Sequence, residues 1–169
     1  MFDDLVGVSL VVVLSGPSGV GKDTVLESLL QEDPTLRKVV TVTTRPCRYG
    51  EANGVDYHFV PVSRFEEMIT GDELMEYAKV YGNWYGIPKD QVLAFVADGY
   101  DVVLRTDVQG AATIKRLIPS AITIFIAPDG LHELKDRMDK RGPTGSDDQK
   151  LRLKTACYEL EEAKGFDYV

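Results

Sequence analysis

The stretch GPSGVGKDT, residues 16–24, contains the residues whose types and spacing first indicate chemistry. Its glycines and Lys22 match a loop that surrounds phosphate with backbone N–H groups and places a lysine on the outer phosphates. An apolar run precedes the stretch and a helical pattern follows it, which is the context this loop requires. We therefore predict a nucleoside triphosphate site, in preference to a glycine-rich turn without a ligand. The predicted ATP-binding residues are Gly16, Pro17, Ser18, Gly19, Val20, Gly21, Lys22, Asp23 and Thr24.

Asp23 departs from the usual pattern, because a serine or threonine at this position normally offers its hydroxyl to Mg²⁺. Mg²⁺ also accepts carboxylates, and Thr24 supplies a hydroxyl at the next position. The sequence therefore predicts that Mg²⁺ binds with the triphosphate at Asp23 and Thr24. The alternative for Asp23 is a structural one, because an acid in the first turn of a helix is favoured by the helix dipole.

A second candidate anion site lies in the stretch TTRPCRYGE and the segments after it. Arg45 and Arg48 stand three positions apart, and Tyr57 and Tyr85 follow them. Guanidinium groups pair bidentately with phosphate oxygens, so two arginines and two phenols would form a cup for a monophosphate. Two arginines in a loop are otherwise more often solvated surface, but the phosphate loop in the same chain favours binding.

Alternating strands and helices would position these residues. β-Branched and aliphatic runs predict buried strands, and helical spacing of apolar residues predicts the helices between them. This order predicts an α/β fold with a parallel sheet. Short mixed elements interrupt the alternation over 41–98, which predicts an inserted lobe. The predicted strands are 8–14, 38–43, 57–60, 74–80, 101–104 and 121–126, and the predicted helices are 24–31, 64–69, 88–97, 131–140 and 149–163.

Composition narrows the class of protein. A chain of 169 residues is long enough for one domain with a full hydrophobic core. The formal net charge of -8 argues against general nucleic-acid affinity, although a local basic cluster can still bind a small anion. Two cysteines do not make a disulfide framework and favour a reducing compartment. The apolar runs are too short to span a membrane, so we expect no membrane partner.

Taken together, the motifs resemble the guanylate kinase family, whose members transfer the γ-phosphoryl group of ATP to GMP. The stretches that carry the resemblance are GPSGVGK, TTRPCRYGEANGVDYHFV, ELMEYAKVYGNWYGIP, DVQGA and DRMDKRG, in order across nearly the whole chain. The resemblance implies a P-loop nucleoside monophosphate kinase fold, in which helices flank the parallel sheet. It also implies a single domain with a core (1–40, 99–131 and 156–169), a GMP-binding lobe (41–98) and a lid (132–155).

The resemblance assigns a GMP site to the lobe. Glu76 would accept hydrogen bonds from the guanine N1–H and amino group, a pair of donors that adenine lacks. Read without the resemblance, Glu76 would be a solvated charge on a strand and Asp107 a helix N-cap. The residues implied around GMP are Thr41, Arg45, Arg48, Tyr57, Glu76, Tyr85 and Asp107.

The resemblance also assigns residues to the transfer itself. Lid arginines would close over the triphosphate, whereas without the resemblance they would be a solvated basic edge. Mg²⁺ would accompany ATP. The implied catalytic residues are Lys22, Arg45, Arg137, Arg141 and Arg152.

Two further positions depart from the family pattern. Ile87 stands where a serine or threonine usually contacts guanine, so one hydrogen bond to the base would be lost. Arg105 stands where an acid usually lies near the metal and phosphates. One acid is thus gained at Asp23 and one lost at position 105, so we expect Arg105 to balance Asp23. The combination GKD, LRxDVQGA and YGIPK resembles a branch found in some bacteria and in plant organelles.

Two other functions are compatible with parts of the sequence. A non-catalytic guanylate-kinase-like module would bind protein partners, but such modules typically lack a working phosphate loop. A ribose bisphosphate kinase shares the GPSGxGKD loop, but not the guanine-binding stretches. The resemblance implies the cytoplasm of a bacterium or the interior of an organelle, and either a monomer or a dimer. The chain ends at FDYV, where the family continues through the rest of a strand and a final helix, so we expect it to lack those parts.

Overall fold

A computed structural model of the chain describes residues 9–140 and 146–169. Strands and helices alternate through most of that range, as the sequence predicts. The described strands are β1 (Val11–Ser15), β2 (Leu36–Lys38), β3 (Val42–Thr43), β4 (His58–Phe59), β5 (Leu74–Val80), β6 (Asn83–Pro88), β7 (Asp101–Arg105) and β8 (Ile122–Phe125). The described helices are α1 (Lys22–Glu32), α2 (Val62–Thr70), α3 (Lys89–Ala97), α4 (Val108–Leu117), α5 (Leu131–Lys140) and α6 (Ser146–Glu162), followed by a 3₁₀ turn (Ala163–Gly165).

The first sheet is parallel, with the strand order β2-β7-β1-β8. Its central strand β1 is aliphatic because side chains on both of its faces are covered. Val13 pairs in register with Leu104 of β7 and with Thr123 of β8, and all three are buried. The predicted α/β fold with a parallel sheet and flanking helices is confirmed.

A strand over 38–43 is a wrong prediction. The structure divides this segment, because β2 ends at Lys38 in the parallel sheet and β3 begins at Val42 in a second sheet. Val39 lies between the two strands and still packs in the core. The apolar residues therefore continue without a break, although the chain passes from one sheet to the other. The first strand also begins later than predicted, at Val11, after an exposed Leu10.

The second sheet has the order β4-β3-β6-β5, and β6 was not predicted. Its sequence NWYGIP contains Gly86 and Pro88, residues that are depleted from strand interiors and typical of turns. The glycine is required here, because a Cβ at Gly86 would lie 2.8 Å from Leu74 Cδ1. Helix α2 covers this sheet through the buried Phe65, whose ring stacks on Trp84 with centroids 5.7 Å apart.

The last described residues attach to β8. Tyr168 forms a parallel bridge with Ile124, at the place where the sequence suggested the beginning of a strand. The Asp167 carboxylate accepts hydrogen bonds of 2.8 Å from both the backbone N–H and the hydroxyl of Thr123, and it pairs with Lys115. These hydrogen bonds, led by that of the Thr123 backbone, lower the pKa of Asp167 to about 2. None of the described helices is long and apolar enough to cross a membrane.

We predict that Phe65→Ala lowers the free energy of unfolding by about 3–5 kcal/mol, because it empties a fully buried position against Trp84. Val62→Ala on the same helix is the matched control. Since Val62 is 49% exposed, its loss should cost less than about 1 kcal/mol. Urea unfolding followed by circular dichroism measures both, and equal midpoints for the two variants would contradict the packing described for α2.

Candidate active site

One cavity of about 1030 Å³ joins the carboxyl edge of the parallel sheet to the second sheet. It brings together residues that the sequence assigned to the triphosphate, the monophosphate and the base. Pro17, Val20, Thr24 and Arg137 do not line it. The predicted residues that do are Gly16, Ser18, Gly19, Gly21, Lys22, Asp23, Thr41, Arg45, Arg48, Tyr57, Glu76, Tyr85, Asp107 and Arg152.

The phosphate loop runs from the end of β1 to the start of α1. Gly16 has φ 140°, and a Cβ there would lie 2.3 Å from the carbonyl oxygen of Ile126, so only glycine fits. Lys22 folds back over the loop and donates to the carbonyl oxygens of Gly16 and of Pro17, the latter at 3.0 Å. The lysine is thereby held over the loop whose N–H groups would face a phosphate. Thr24 is exposed on α1.

Asp23 forms an ion pair with Arg105, the last residue of β7. The structure therefore contains the charge compensation that the two departures from the family pattern suggested. Parallel pairing places Arg105 beside Leu14 of β1, next to the loop that carries Asp23. Burial lowers the pKa of Arg105 to about 10, so its guanidinium stays protonated at neutral pH.

The predicted monophosphate cup is built on Arg45. Its guanidinium makes two 2.6 Å hydrogen bonds to the carboxylate of Glu51 and lies over the ring of Tyr57, 4.6 Å from the centroid. The rings of Tyr57 and Tyr85 meet edge to face, with centroids 6.1 Å apart. Arg48 is exposed at the rim and donates its backbone N–H to Glu51.

Glu51 was missed as a site residue, although the stretch RPCRYGE places it close to both arginines. Its carboxylate fixes the plane of the Arg45 guanidinium. The hydrogen bonds from Arg45 in turn lower the pKa of Glu51, so it remains ionised. The acid therefore orients the cup without entering it as a ligand for phosphate.

Glu76, the residue predicted to bind the base, lies on β5 and lines the cavity, and Ile87 pairs with it on the neighbouring strand β6. Burial, together with the negative charge of Asp107, raises the pKa of Glu76 to about 7, while a hydrogen bond from the Thr106 hydroxyl opposes this. Asp107 caps α4 by accepting the N–H of Gly110 at 2.8 Å. The helix-cap interpretation of Asp107 is therefore confirmed, and Asp107 lines the cavity as well.

The three arginines predicted to belong to a lid differ in position. Arg137 donates to the carbonyl oxygen of Val20 at 2.7 Å, so it touches the phosphate loop from outside the cavity. Arg152 lines the cavity and lies over the ring of Tyr81, 4.9 Å from the centroid. Arg141 lies outside the described residues.

Glu159 of α6 was not predicted to belong to the site, yet it lines the cavity and is only 6% exposed. Its Oε2 accepts no hydrogen bond from the part of the chain that the structure describes. Burial raises the pKa of Glu159 to about 7 against the positive charge of Lys22. A signal was present in the sequence, because Glu159 lies three residues after Ala156 of α6 and four before Ala163 of the following turn, both of which are buried, and a buried acid is unusual.

Comparison with known proteins agrees with this geometry. The chain matches the family profile described as Guanylate kinase over residues 9–169. It is 45% identical over 161 residues to the guanylate kinase of Bacillus subtilis, with 95% of this chain and 79% of that protein covered. It is also 45% identical to guanylate kinase 2, chloroplastic/mitochondrial, of rice, with 95% of this chain and 56% of that protein covered.

A solved structure extends the likeness to three dimensions. The crystal structure of guanylate kinase from Anaplasma phagocytophilum superposes with a TM-score of 0.80 at 35% sequence identity. The superposition covers 96% of this chain and 76% of that one. The profile, the relatives and this structure all cover the phosphate loop, the cup and Glu76. The chain therefore belongs to the guanylate kinase family, the nucleoside monophosphate kinases that transfer the γ-phosphoryl group of ATP to GMP.

Proposed function

We propose that this chain phosphorylates GMP with ATP by direct transfer within the described cavity. The observation that carries the proposal is that the phosphate loop, the arginine–tyrosine cup and Glu76 line the same cavity. An oxygen of the GMP phosphate attacks the γ-phosphorus of ATP, and the bond from that phosphorus to the ADP oxygen breaks. The products are GDP and ADP. Such a transfer needs alignment and charge stabilisation more than covalent help from the protein.

Lys22 supplies positive charge on the ATP side. Its ammonium already lies over the loop, held by the carbonyl oxygens of Gly16 and Pro17. An ammonium is a compact point charge with three donors, so it can keep a carbonyl partner while donating to a phosphate oxygen. Arg152 lines the same cavity and would add charge as the triphosphate binds.

Arg45 positions the GMP phosphate. Three of its N–H groups are used, one on the Pro46 carbonyl oxygen and two on Glu51. A guanidinium has five N–H donors, so at least one remains for a phosphate oxygen beside those that Pro46, Glu51 and the Tyr57 hydroxyl take. Because Glu51 and the Tyr57 ring fix the guanidinium plane in advance, little side-chain entropy is lost when the phosphate binds.

Glu76 selects the base. An ionised carboxylate can accept both the N1–H and the amino group of guanine, and adenine does not offer this pair of donors. Glu76 is buried, so its carboxylate has lost its hydration. A base that offers it no hydrogen-bond donors leaves this loss uncompensated and therefore binds much more weakly. Asp107 lies close enough to raise the pKa of Glu76, so bound guanine would also relieve the repulsion between the two acids.

Magnesium would accompany ATP, as the family implies. The described residues contain no group of three or more His, Cys, Asp or Glu that could hold a metal ion. Mg²⁺ is usually held by one or two carboxylates together with substrate phosphates. Glu159 Oε2, which has no hydrogen-bond partner among the residues that the structure describes, fits that chemistry. Asp23 lines the same cavity and the predicted Thr24 does not, so the proposed protein ligands are Glu159 and Asp23. The ion would neutralise phosphate charge.

We infer a cytoplasmic location if the chain is bacterial and an organelle interior if it is eukaryotic. The support is that relatives of both kinds match at similar identity, namely guanylate kinases of bacteria and a chloroplastic/mitochondrial one of rice.

The direct test is ADP formation from ATP and Mg²⁺ with GMP, AMP, CMP or UMP offered separately. We expect turnover with GMP, and kcat/KM lower by about 10⁴ or more for AMP because its base cannot satisfy Glu76. Lys22→Ala should lower kcat by about 10²–10³. Lys79→Ala is the control, since Lys79 lies over Trp84 and does not line the cavity. A folded protein that binds no nucleotide, or that uses AMP as well as GMP, would refute the proposal.

The pH dependence tests the role of Glu76. Its pKa in the free protein is raised to about 7, and guanine binds the ionised form. The value of kcat/KM for GMP should therefore be level above pH 7 and fall about tenfold per pH unit below it. Measurement between pH 6.5 and 8 keeps most of the GMP phosphate in its dianionic form, because its second pKa is about 6.

Glu76→Gln is the matched variant for this profile, because it keeps the size of the side chain and removes its titration. We expect a lower kcat/KM for GMP and a smaller fall between pH 8 and pH 6.5 than in the wild type, because Glu159, whose pKa is also raised to about 7, still titrates in the variant. A wild-type profile that is flat over this range, or a variant with the wild-type slope, would show that the ionised carboxylate of Glu76 does not bind the base.

A further inference from the structure

Arg105 is a buried cation that lines the same cavity as both predicted phosphate sites, and the proposed transfer gives it no role. Its side chain is 11% exposed and lines the cavity. The guanidinium lies over the Tyr57 ring, 4.5 Å from the centroid, while that of Arg45 lies 4.6 Å from the same centroid. Its ion-pair partner Asp23 follows Lys22 in the phosphate loop. Arg105 thus contacts the predicted GMP-phosphate cup on one side and the ATP loop on the other.

The charge balance of Arg105 depends on Asp23. A buried cation is tolerated only with a compensating anion. Here that anion is Asp23 of helix α1, whose side chain is 53% exposed. Exposure weakens an ion pair, because water competes for the carboxylate. A phosphate dianion that enters the cup would bring a second anion toward the same guanidinium.

We propose that Arg105 is an additional phosphate-binding residue of the GMP site, and that Asp23 competes with the GMP phosphate for it. The inference rests on the proposed function. A guanidinium holds phosphate bidentately, and stacking on Tyr57 fixes its plane as it does for Arg45. Arg105 thus gives the chain a further cation for the GMP phosphate beside Arg45.

The competition predicts opposite effects for the two members of one ion pair. Arg105→Ala removes a phosphate ligand and should weaken GMP binding about 10- to 100-fold. Asp23→Asn removes the competing anion and should tighten GMP binding about 2- to 5-fold in the absence of ATP. If the pair only held α1 against β7, both substitutions would break the same contact and would weaken binding together.

The measurement is isothermal titration calorimetry of the full chain with GMP, and with guanosine as the ligand that lacks the phosphate. Guanosine affinity should stay within about 2-fold for both variants, because the changed contact is to phosphate. A non-hydrolysable ATP analogue distinguishes the two sources of phosphate. If Arg105→Ala weakens the analogue and leaves GMP unchanged, Arg105 belongs to the ATP site and the proposal is wrong.

Matched controls come from the small cleft beside Arg105, which Lys38 and Glu27 also line. Lys38→Ala removes one nearby positive charge and Glu27→Gln one nearby negative charge, so they report the effect of net charge alone. Each should change the GMP affinity by less than about 2-fold. Thermal unfolding confirms that each variant is folded, and Asp23→Asn decides the question if Arg105→Ala does not fold.

The outcomes separate this inference from the proposed function. A wild-type chain that does not bind GMP overturns both. Wild-type binding of GMP with an unchanged affinity in Arg105→Ala, or a weaker one in Asp23→Asn, overturns this inference alone. Equal losses for GMP and guanosine in Arg105→Ala would mean that Arg105 only supports the fold of the site.

Discussion

The parallel pairing of β1 with β7 is the constraint on which the cavity depends. It aligns Leu14 with Arg105, so the residues that follow each strand emerge side by side at one edge of the sheet. The phosphate loop follows β1, and Asp107 follows β7. Ligands of open α/β sheets bind at the carboxyl ends of the strands for this reason. The buried aliphatic side chains of both strands hold the pairing in register.

Charges in the cavity are of two kinds. Arg45 and Arg105 are each compensated by an acid of the chain, Glu51 and Asp23 respectively. Glu76 and Glu159 are buried acids whose pKa values are raised to about 7, so their ionised forms are poorly stabilised by the protein itself. Bound guanine and a bound cation would supply what these two acids lack. The proposed ligands would thus relieve unfavourable interactions that the cavity side chains have in the free protein.

Much of the site could be predicted from the sequence, because its motifs combine glycines that the backbone conformation requires with side chains that the chemistry requires. Gly16 allows the close approach to Ile126, and Lys22 follows at a fixed spacing, so the phosphate loop could be predicted without the fold. The resemblance brought in Glu76, which no periodic pattern distinguishes from a solvated strand acid. The reciprocal departures at Asp23 and Arg105 indicated an ion pair, and the structure contains it.

What the sequence could not predict depends on tertiary context. The strand expected over 38–43 is divided between two sheets, because the apolar pattern reports burial and not the sheet in which a residue lies. Strand β6 was missed because Gly86 and Pro88 are typical of loops, although the glycine is needed for packing against Leu74. Glu159 reaches the cavity only through the packing of α6, which a local pattern describes incompletely.

In the proposed function, a single cavity holds both nucleotides with their phosphates facing each other. The most direct measurement is the binding of one molecule that joins guanosine and adenosine through a chain of phosphates, followed by calorimetry and by competition. The account predicts one molecule bound per chain and displacement of both GMP and ATP. A ligand that displaces only one of them, or that binds two per chain, would contradict it.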